Sequence, residues 1–311
     1  MRFVVTRVVL MIPVLIGVVT VTFLLMHLTP GDPALAYLGQ KAGPEALAAL
    51  RHAWGLDRPL WVQYLQFAGG LLRGDFGTSM YFKQPTAELI SARLPVTLEL
   101  TAMTAVLIVV IAVPAATLAA ARQGRAADSL LQLGASAGLG MPQFWVASML
   151  VLVLSLQLGL FPAAGYGDTP LSQFVSLILP ALTLAISAAP LVFRSLRSSM
   201  IDALDSEYVA FAEAKGLRRF RVLSGYALRN GAISAVTILG VNVGAIIGGT
   251  LVVESVFSLP GLGSLMMQGI LNRDFPVVQC TTLVFAVLVV LIYLGTDILH
   301  RLLDPRVRNA A

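Results

Sequence analysis

Six long apolar blocks restrict this chain to folds that cross a membrane. The chain is 57% hydrophobic and 12% charged, whereas soluble domains are about 25% charged. A helix needs about 20 mostly apolar residues to span the hydrocarbon core of a bilayer. We therefore predict an all-α, polytopic membrane protein with six transmembrane helices. The apolar blocks are residues 8–28, 96–121, 141–160, 175–193, 232–253 and 277–299.

The blocks divide the chain into three predicted segments. Residues 1–28 hold the N-terminal end and the first transmembrane helix, residues 29–95 form a cap, and residues 96–311 form a core of five transmembrane helices. Within the cap, glycine- and proline-rich turn signals flank two stretches with helical apolar spacing. We predict cap helices over residues 45–54 and 60–72.

The distribution of lysine and arginine predicts the orientation in the membrane. With six spans both termini lie on one side, and that side carries most of the 21 basic residues. Short cytoplasmic loops carry such an excess. We therefore expect cytoplasmic termini, a cytoplasmic loop over residues 194–230 and an extracytoplasmic cap. The basic residues form no single stripe with stacking aromatics, so the net charge of +5 does not indicate nucleic-acid binding.

The cytoplasmic loop carries the start and stop signals of a short helix. Asp205 or Ser206 can cap it, an acidic residue follows in the first turn, a lysine closes the last turn, and Gly216 lies just past the end. This is the chemistry expected at helix ends. We predict a helix over residues 207–215 and a second helix over residues 218–229.

Two interpretations of this loop remain open. Two solvated helices could simply join the neighbouring spans. Alternatively the first helix is a contact surface, because exposed apolar patches more often mark contacts. The apolar residues expected at its surface are Tyr208, Val209, Phe211, Ala212 and Ala214.

Polar residues inside membrane spans are costly and often functional. Asn242 lies in the fifth span, Glu99 near one end of the second, and Gln143 near the start of the third. We favour a satisfied hydrogen bond between helices for each, and a position on a translocation pathway is the functional alternative, with Asn242 the best candidate. The span centres carry no charged residue, which argues against an ion-driven transporter.

Three glycines line one face of the fifth span. Gly240, Gly244 and Gly248 form two overlapping Gly-x-x-x-Gly steps, which allow close contact between helices. Packing inside this chain and packing against a second membrane subunit are equally compatible with the pattern.

Motifs for covalent chemistry are weak. Gly134-Ala135-Ser136-Ala137-Gly138 fits the nucleophile pattern of serine hydrolases, but that chemistry needs a strand-to-helix elbow and a histidine base. The sequence has no His-Glu-x-x-His motif, no Cys/His cluster and no Gly-rich loop ending in Gly-Lys-Ser/Thr. We therefore predict no catalytic residue, no metal and no cofactor bound by this chain.

A series of short strings runs in order along nearly the whole chain. They are Pro30-Gly31-Asp32-Pro33, Gly55-Leu56-Asp57-Arg58-Pro59-Leu60, Gly74-Asp75-Phe76-Gly77-Thr78-Ser79, Leu94-Pro95-Val96-Thr97-Leu98-Glu99-Leu100, Tyr208-Val209-Ala210-Phe211-Ala212-Glu213-Ala214-Lys215-Gly216, Val253-Glu254-Ser255-Val256-Phe257-Ser258-Leu259-Pro260-Gly261-Leu262-Gly263, Arg273-Asp274-Phe275-Pro276-Val277 and Asp304-Pro305-Arg306. In this order they resemble the permease subunits of bacterial ABC importers, and more narrowly those of the dipeptide/oligopeptide branch.

The resemblance implies a type I ABC importer permease in the bacterial cytoplasmic (inner) membrane. It implies as partners a second homologous permease subunit, two ATP-binding subunits that hold ATP-Mg, and an extracytoplasmic solute-binding protein. The implied cargo is di- or oligopeptides. Glutathione, a nickel chelate and a sugar remain alternatives, as do the ion-driven transporter and an intramembrane serine hydrolase acting through Ser136.

The resemblance also implies two sets of site residues. The loop helix would insert into a cleft of an ATPase subunit, and an extracytoplasmic gate would face the binding protein. The ATPase-coupling residues are Glu207, Tyr208, Ala210, Phe211, Ala212, Glu213, Ala214, Lys215 and Gly216. The gate residues are Asp32, Glu254, Pro260 and Gly261.

Overall fold

The computed structural model describes residues 2–28, 33–39 and 42–303, and there the regular structure is helical apart from one isolated bridge between Thr78 and Pro85. Two π-helical segments occur among the described residues, Val151–Gln157 and Leu223–Ala227. The α-helices are α1 (Arg2–Leu28), α2 (Pro33–Leu38), α3 (Pro44–Ala53), α4 (Leu60–Leu72), α5 (Thr86–Ala121), α6 (Ala126–Gly140), α7 (Gln143–Leu150), α8 (Pro170–Leu204), α9 (Glu207–Ala214), α10 (Arg219–Val222), α11 (Leu228–Val256), α12 (Leu262–Leu271) and α13 (Phe275–Leu303).

Among the described residues, four helices are long and apolar enough to cross a bilayer. They are α5, α8, the continuous helix Arg219–Val256 that contains α11, and Phe275–Arg301 of α13. Helices α6 and α7 together give a fifth candidate. Helix α1 carries the shorter apolar stretch Val9–Leu25, at the lower limit of about 17 residues for a span. The polytopic helical architecture is as predicted, and the count of six spans stays a prediction.

The third apolar block, residues 141–160, does not form a separate straight span, because its helix covers only Gln143–Gln157 and joins α6, which precedes the block, at a sharp bend. Met141 is extended, with φ −87° and ψ 127°, because the proline that follows disfavours the α conformation at the preceding residue. Helix α6 therefore ends at Gly140, α7 begins at Gln143, and the two helices are bent by 107°.

The second predicted loop helix is also irregular. Only Arg219–Val222 is α-helical before the backbone widens into the π-helical turn Leu223–Ala227 and then continues as α11. Ser224 and Gly225 lie in the middle of this turn. Ser/Gly pairs are recurrent sites of helix distortion because they resist it weakly.

The chain forms two compact units. Unit 1 comprises residues 1–96 and 260–288, and unit 2 comprises residues 97–259 and 289–311. Helices α3 and α4, in unit 1, lie where the sequence predicts cap helices. The predicted segment bounds at residues 28 and 95 stay a prediction. The buried core of unit 1 contains Leu89, Ile90, Leu262, Leu265, Val277 and Cys280.

In unit 1 a buried carboxylate fixes a loop to the start of α13. Asp274 is completely buried and accepts hydrogen bonds from the Ser79 hydroxyl and from the backbone N–H groups of Met80 and Tyr81, the latter two at 3.1 and 3.0 Å. Buried carboxylates need such donors. This contact joins segments that are almost 200 residues apart in the sequence.

In unit 2 the long helix α8 packs against α6, α7 and α11. The approach to α11 is close at Gly231, where a Cβ atom would lie 3.0 and 3.1 Å from side-chain atoms of Leu196 and Met200. The C-terminal end of α8 leads through two residues into α9. Helix α8 therefore supports the predicted contact helix.

Candidate functional site

Lys215 is the C-cap residue instead of the last helical residue, and helix α9 otherwise forms where the sequence predicts it, with a further difference at its start. It covers Glu207–Ala214, and Gly216 follows with a φ of +81°, a conformation that glycine adopts at little cost. Ser206 is the N-cap residue, but its side chain makes no cap hydrogen bond. The Ser206 hydroxyl instead donates to the Ala203 carbonyl at 2.5 Å. The expected side-chain cap by Asp205 or Ser206 is therefore wrong.

One side of α9 is buried in this chain, which corrects part of the predicted contact surface. Val209 and Ala212 are 1% and 4% exposed. Residues three apart share a helix face, so these two residues attach α9 to the rest of the protein. They cannot belong to an exposed apolar patch.

The opposite side of α9 is solvent-exposed and carries two aromatic rings. Phe211 is 62% and Tyr208 is 44% exposed. We call this side the coupling surface and keep the name below. Its residues are Glu207, Tyr208, Ala210, Phe211, Glu213, Ala214, Lys215 and Gly216.

Two contacts hold the aromatic rings of the coupling surface in place. The Asn230 side-chain amide donates to the Tyr208 hydroxyl oxygen at 2.5 Å. Nζ of Lys215 lies 4.4 Å from the ring centroid of Phe211, within the range of a cation–π interaction. Rings that are already positioned lose less side-chain entropy when a partner binds.

A buried ion pair that the sequence did not predict joins α6 to α8, the helix that leads into α9. Arg197 of α8 donates through Nε and Nη2 to the two carboxylate oxygens of Asp128 in α6, at 2.7 and 2.6 Å. In the sequence both residues look like ordinary charged residues near the ends of apolar blocks. The available sequence signal was that Asp128 is an acidic residue in the first turn of a helix, where a negative charge is favourable. This signal does not indicate that its partner is Arg197, 69 positions away.

Two of the three glycines on α11 pack inside this chain. A Cβ atom at Gly240 would lie 2.2 Å from Oγ1 of Thr296, and one at Gly244 would lie 2.8 Å from the ring of Tyr293, both on α13. At Gly248 a Cβ atom would meet nothing within 4 Å. Gly240 and Gly244 are therefore not available to a second membrane subunit, because α13 already occupies their face.

The polar residues of the spans have separate roles. Asn242, the best pathway candidate from the sequence, is almost buried, and its amide donates to the Ile238 carbonyl at 2.7 Å in its own helix. Gln143 is partly buried and lies beside Gly249, where a Cβ atom would meet its side-chain oxygen at 3.0 Å. The hydrogen bond between helices expected for Asn242 is therefore corrected to a bond within α11.

Glu99 is exposed and bonded to the loop before α8. The Tyr166 hydroxyl donates to Oε2 of Glu99 at 2.6 Å, and the Gly165 N–H donates to the Phe257 carbonyl at 2.8 Å. Burial, with a smaller contribution from the bond to Glu99, raises the pKa of Tyr166 to about 12. The tyrosine therefore remains a donor at neutral pH.

The predicted extracytoplasmic gate is corrected at two of its four positions. Glu254 is completely buried and accepts a hydrogen bond from the Thr97 hydroxyl at 2.7 Å. Gly261 is buried as the N-cap residue of α12. Pro260 is exposed, and Asp32 lies outside the described residues. Glu254 and Gly261 do not offer a surface to a binding protein, because the helix ends around them are packed.

Ser136 is exposed and does not have the geometry of a nucleophile. It sits inside α6, where its hydroxyl donates to the Gln132 carbonyl and accepts from Nη2 of Arg194, both at 2.8 Å. A serine nucleophile requires a strand-to-helix elbow, which a mid-helix residue cannot provide. Within residues 2–28, 33–39 and 42–303, no group of three or more His, Cys, Asp or Glu side chains could hold a metal.

Comparison with known families gives matches over nearly the whole chain. Residues 112–309 match the model described as binding-protein-dependent transport system inner membrane component, and residues 1–101 match the N-terminal model for membrane components of the same systems. The oligopeptide transport system permease protein AppB of Bacillus subtilis is 38% identical over 312 residues, or 98% of each chain. The dipeptide transport system permease protein DppB of Lactococcus lactis is 35% identical over 308 residues, or 99% of each chain.

The fold also resembles a solved structure. The inward-facing methionine ABC transporter MetNI contains a chain that matches with a TM-score of 0.60 and 16% identity, over 71% of this chain and 98% of that one. At this identity the likeness concerns the fold. The fold class predicted from the sequence is confirmed.

Proposed function

The chain belongs to the family of binding-protein-dependent transport system inner membrane components, and on this premise we propose that it moves di- or oligopeptides across the cytoplasmic membrane as a permease subunit of an ATP-driven importer. The carrying observation is the similarity over 98–99% of the chain to permeases of oligopeptide and dipeptide transport systems. Fold likeness alone would not select a cargo, because one fold serves many functions.

The partners follow from the family and the proposal. A solute-binding protein delivers the peptide, a second homologous permease completes the pathway, and two ATP-binding subunits supply the energy. The sequence lacks the Gly-Lys-Ser/Thr loop that cradles nucleotide phosphates. In this proposal the chain performs no covalent chemistry, and hydrolysis takes place on the ATP-binding subunits.

The coupling surface of α9 is where an ATP-binding subunit docks. Its two exposed aromatic rings resemble the anchors that contribute most to interfaces, where Tyr and Arg are enriched near the centre. Ala210 and Ala214 are exposed beside them, so a partner can approach the helix backbone closely. Charged Glu207, Glu213 and Lys215 would form the polar rim.

The buried side of α9 makes this docking mechanically useful. Val209 and Ala212 pack into this chain, so a force applied to Phe211 is passed to the body of unit 2 instead of bending a loose loop. Packed interiors have low compressibility and transmit strain. ATP-driven closure of the partner subunits would therefore displace the helices on which α9 rests.

The pathway and the extracytoplasmic face retain fewer candidates than the sequence suggested. Gln143 is only partly buried and Glu99 is exposed, so both remain candidates for contact with the cargo. Pro260 remains the exposed candidate on the binding-protein side. Gly248 is the one glycine of its series with free space around it, and we assign it to contact with the second permease.

The orientation is part of the proposal. We place both termini and the coupling surface in the cytoplasm, where the ATP-binding subunits are, and residues 29–95 on the opposite side. The excess of lysine and arginine in the short loops near α9 supports this arrangement. Cysteine labelling at the exposed positions Arg73 and Asn272, against Arg122 and Arg219, tests it, and a cytoplasmic Asn272 contradicts it.

Reconstitution in liposomes tests the function directly. Uptake of labelled di- and tripeptides is expected only when this chain, the second permease, the ATP-binding subunits, ATP and the loaded binding protein are all present. Proteoliposomes with this chain alone are the control, and they should take up nothing.

Two outcomes would overturn the proposal. Uptake by the lone chain on an ion gradient would identify an ion-driven transporter. Peptide hydrolysis that disappears in Ser136→Ala would identify a hydrolase. Uptake of glutathione, a nickel chelate or a sugar in place of peptides would keep the mechanism and change the cargo.

A further inference from the structure

Asp128 and Arg197 form an ion pair in unit 2 whose carboxylate has every oxygen hydrogen-bonded. The two N–H groups of the Arg197 guanidinium face both oxygens of Asp128, and the Gly124 N–H and the Gln132 amide donate to the same carboxylate, each at 3.0 Å. Each oxygen accepts two hydrogen bonds, and Asp128 is only 2% exposed. Bidentate pairs of this kind fix orientation as well as attract.

Arg197 lies on the helix that leads into the coupling surface, ten residues before Glu207. Helix α8 continues from Arg197 to Leu204, and α9 begins three residues later. Helices α8 and α9 contact each other, and α9 is attached through its buried residues Val209 and Ala212. A displacement of α9 therefore acts on the end of α8 that holds Arg197.

A second contact reaches the same part of the chain from beyond α9. Nη2 of Arg219, at the start of α10, donates to the carbonyl of Ala121, the last residue of α5, at 3.2 Å. Ala121 and Asp128 flank the elbow that joins α5 to α6. The elbow is thus held by one arginine before α9 and by another after it.

We propose that the Asp128–Arg197 pair is the joint through which movement of the coupling surface reaches α6 and the bent helix pair that α6 begins. This inference rests on the proposed function. Asp128 and Arg197 are positioning residues: they contact neither cargo nor nucleotide, and they make α6 follow α8. Because α6 leads through the 107° bend into α7, a rotation at its first turn changes the tilt of the whole pair.

Arg194 provides a matched control. It lies one turn before Arg197 on α8 and also bonds to α6, through the Ser136 hydroxyl at 2.8 Å. That contact is one exposed hydrogen bond, and its acceptor is an uncharged hydroxyl group. An exposed hydrogen bond of this kind contributes little rigidity, because water replaces it readily.

The first test measures peptides imported per ATP hydrolysed by the reconstituted importer. Asp128→Asn removes the charge, and Arg197→Lys keeps the charge but removes the two-pronged geometry. Both variants should hydrolyse ATP in response to loaded binding protein yet import about tenfold fewer peptides per ATP, a loss within the usual range of coupling between sites. Arg194→Gln should keep the wild-type ratio.

The second test measures movement and does not depend on transport. Spin labels are placed at Leu133→Cys on α6 and Arg218→Cys after α9, both exposed positions, while native Cys280 is buried and resists labelling. In the wild type the distance between labels should stay constant when an ATP analogue binds to the complex. In Arg197→Lys it should change, because α6 no longer follows.

The outcomes separate this inference from the proposed function. An unchanged import ratio and a constant label distance in both variants would overturn the joint. Failure of both variants to assemble, with Arg194→Gln intact, would also overturn it and leave a purely structural pair. In a third outcome the label distance is constant in the wild-type complex and changes in Arg197→Lys, but the wild-type complex imports no peptide. That outcome would contradict the proposed cargo and would still support the joint.

Discussion

The Asn230 side-chain amide donates to the Tyr208 hydroxyl oxygen at 2.5 Å, which joins α9 to the third residue of α11. The bond connects the predicted contact helix to a candidate membrane span on the far side of the π-helical turn. The bond thereby tethers an aromatic side chain that is 44% exposed to solvent. Three of the predictions below concern this helix.

We expect Phe211→Ala to weaken binding of the ATP-binding subunit and leave the permease folded. The ring is 62% exposed, so its removal costs this chain little, whereas loss of a central aromatic anchor typically costs more than about 1 kcal/mol of binding free energy. Co-purification and titration of the ATP-binding subunit measure the change. Phe220→Ala is the matched control, because Phe220 is exposed on α10, outside the coupling surface. Equal effects of the two changes would contradict docking on α9.

Ala212→Asp should unfold or destabilise the chain before any question of docking arises. Ala212 is buried, and an uncompensated buried charge costs about 3–5 kcal/mol. The melting temperature in detergent should fall sharply. Ala210→Asp on the exposed side of the same helix should melt near the wild type. A stable Ala212→Asp protein would show that α9 does not pack as described.

Gly216→Val should disturb the turn after α9 through backbone strain. Gly216 has a φ of +81°, and a Cβ atom there would meet nothing within 4 Å, so strain and not a clash is the expected cause. The left-handed conformation costs an L-residue about 1–2 kcal/mol. Peptide uptake should fall in Gly216→Val and largely persist in Gly216→Asn, because asparagine tolerates this conformation. Equal uptake by both variants would rule out a need for the turn.

Gly240→Ala should destabilise the contact between α11 and α13. A new methyl group would lie 2.2 Å from Oγ1 of Thr296, and overpacking of this kind typically costs about 1–3 kcal/mol. Thermal unfolding of the purified chain measures the loss, and adding Thr296→Gly should recover part of it. Gly248→Ala is the control for stability, since it meets no neighbouring atom in this chain. An unaffected Gly240→Ala protein would contradict the packing.

The bond between Tyr166 and Glu99 should survive through neutral pH and weaken only in strong base. The pKa of Tyr166 is raised from 10.0 to about 12, first by burial and then by the bond to Glu99. A raised folded-state pKa means that the contribution to stability is complete below pH 10 and is lost as the pH rises toward 12. Ultraviolet titration of tyrosinate in the wild type and in Tyr166→Phe isolates this group. A difference signal with a midpoint near pH 10 would contradict the contact.

The sequence alone gave the class of protein, the helical fold and the position of α9. Apolar blocks of about 20 residues match the length of a helix that crosses the bilayer, and such a helix pairs its backbone polar groups internally, as lipid requires. The residues that start and stop α9 are close in sequence, so Gly216 was predicted as the residue that follows the end of this helix. The bend after Gly140 is local too, and the proline at position 142 predicts it once the neighbouring residue is considered.

Tertiary structure decided which residues are buried and which are paired. Val209 and Phe211 are both apolar members of one short helix, and only the packing of α9 against its own chain buries the first and exposes the second. Gly240 and Gly248 belong to one repeat, yet only Gly240 faces Thr296. Asp128 and Arg197 are 69 positions apart. They pair because folding brings α6 and α8 into contact. A single sequence gives the residue types but not the spatial distances between residues that are far apart along the chain.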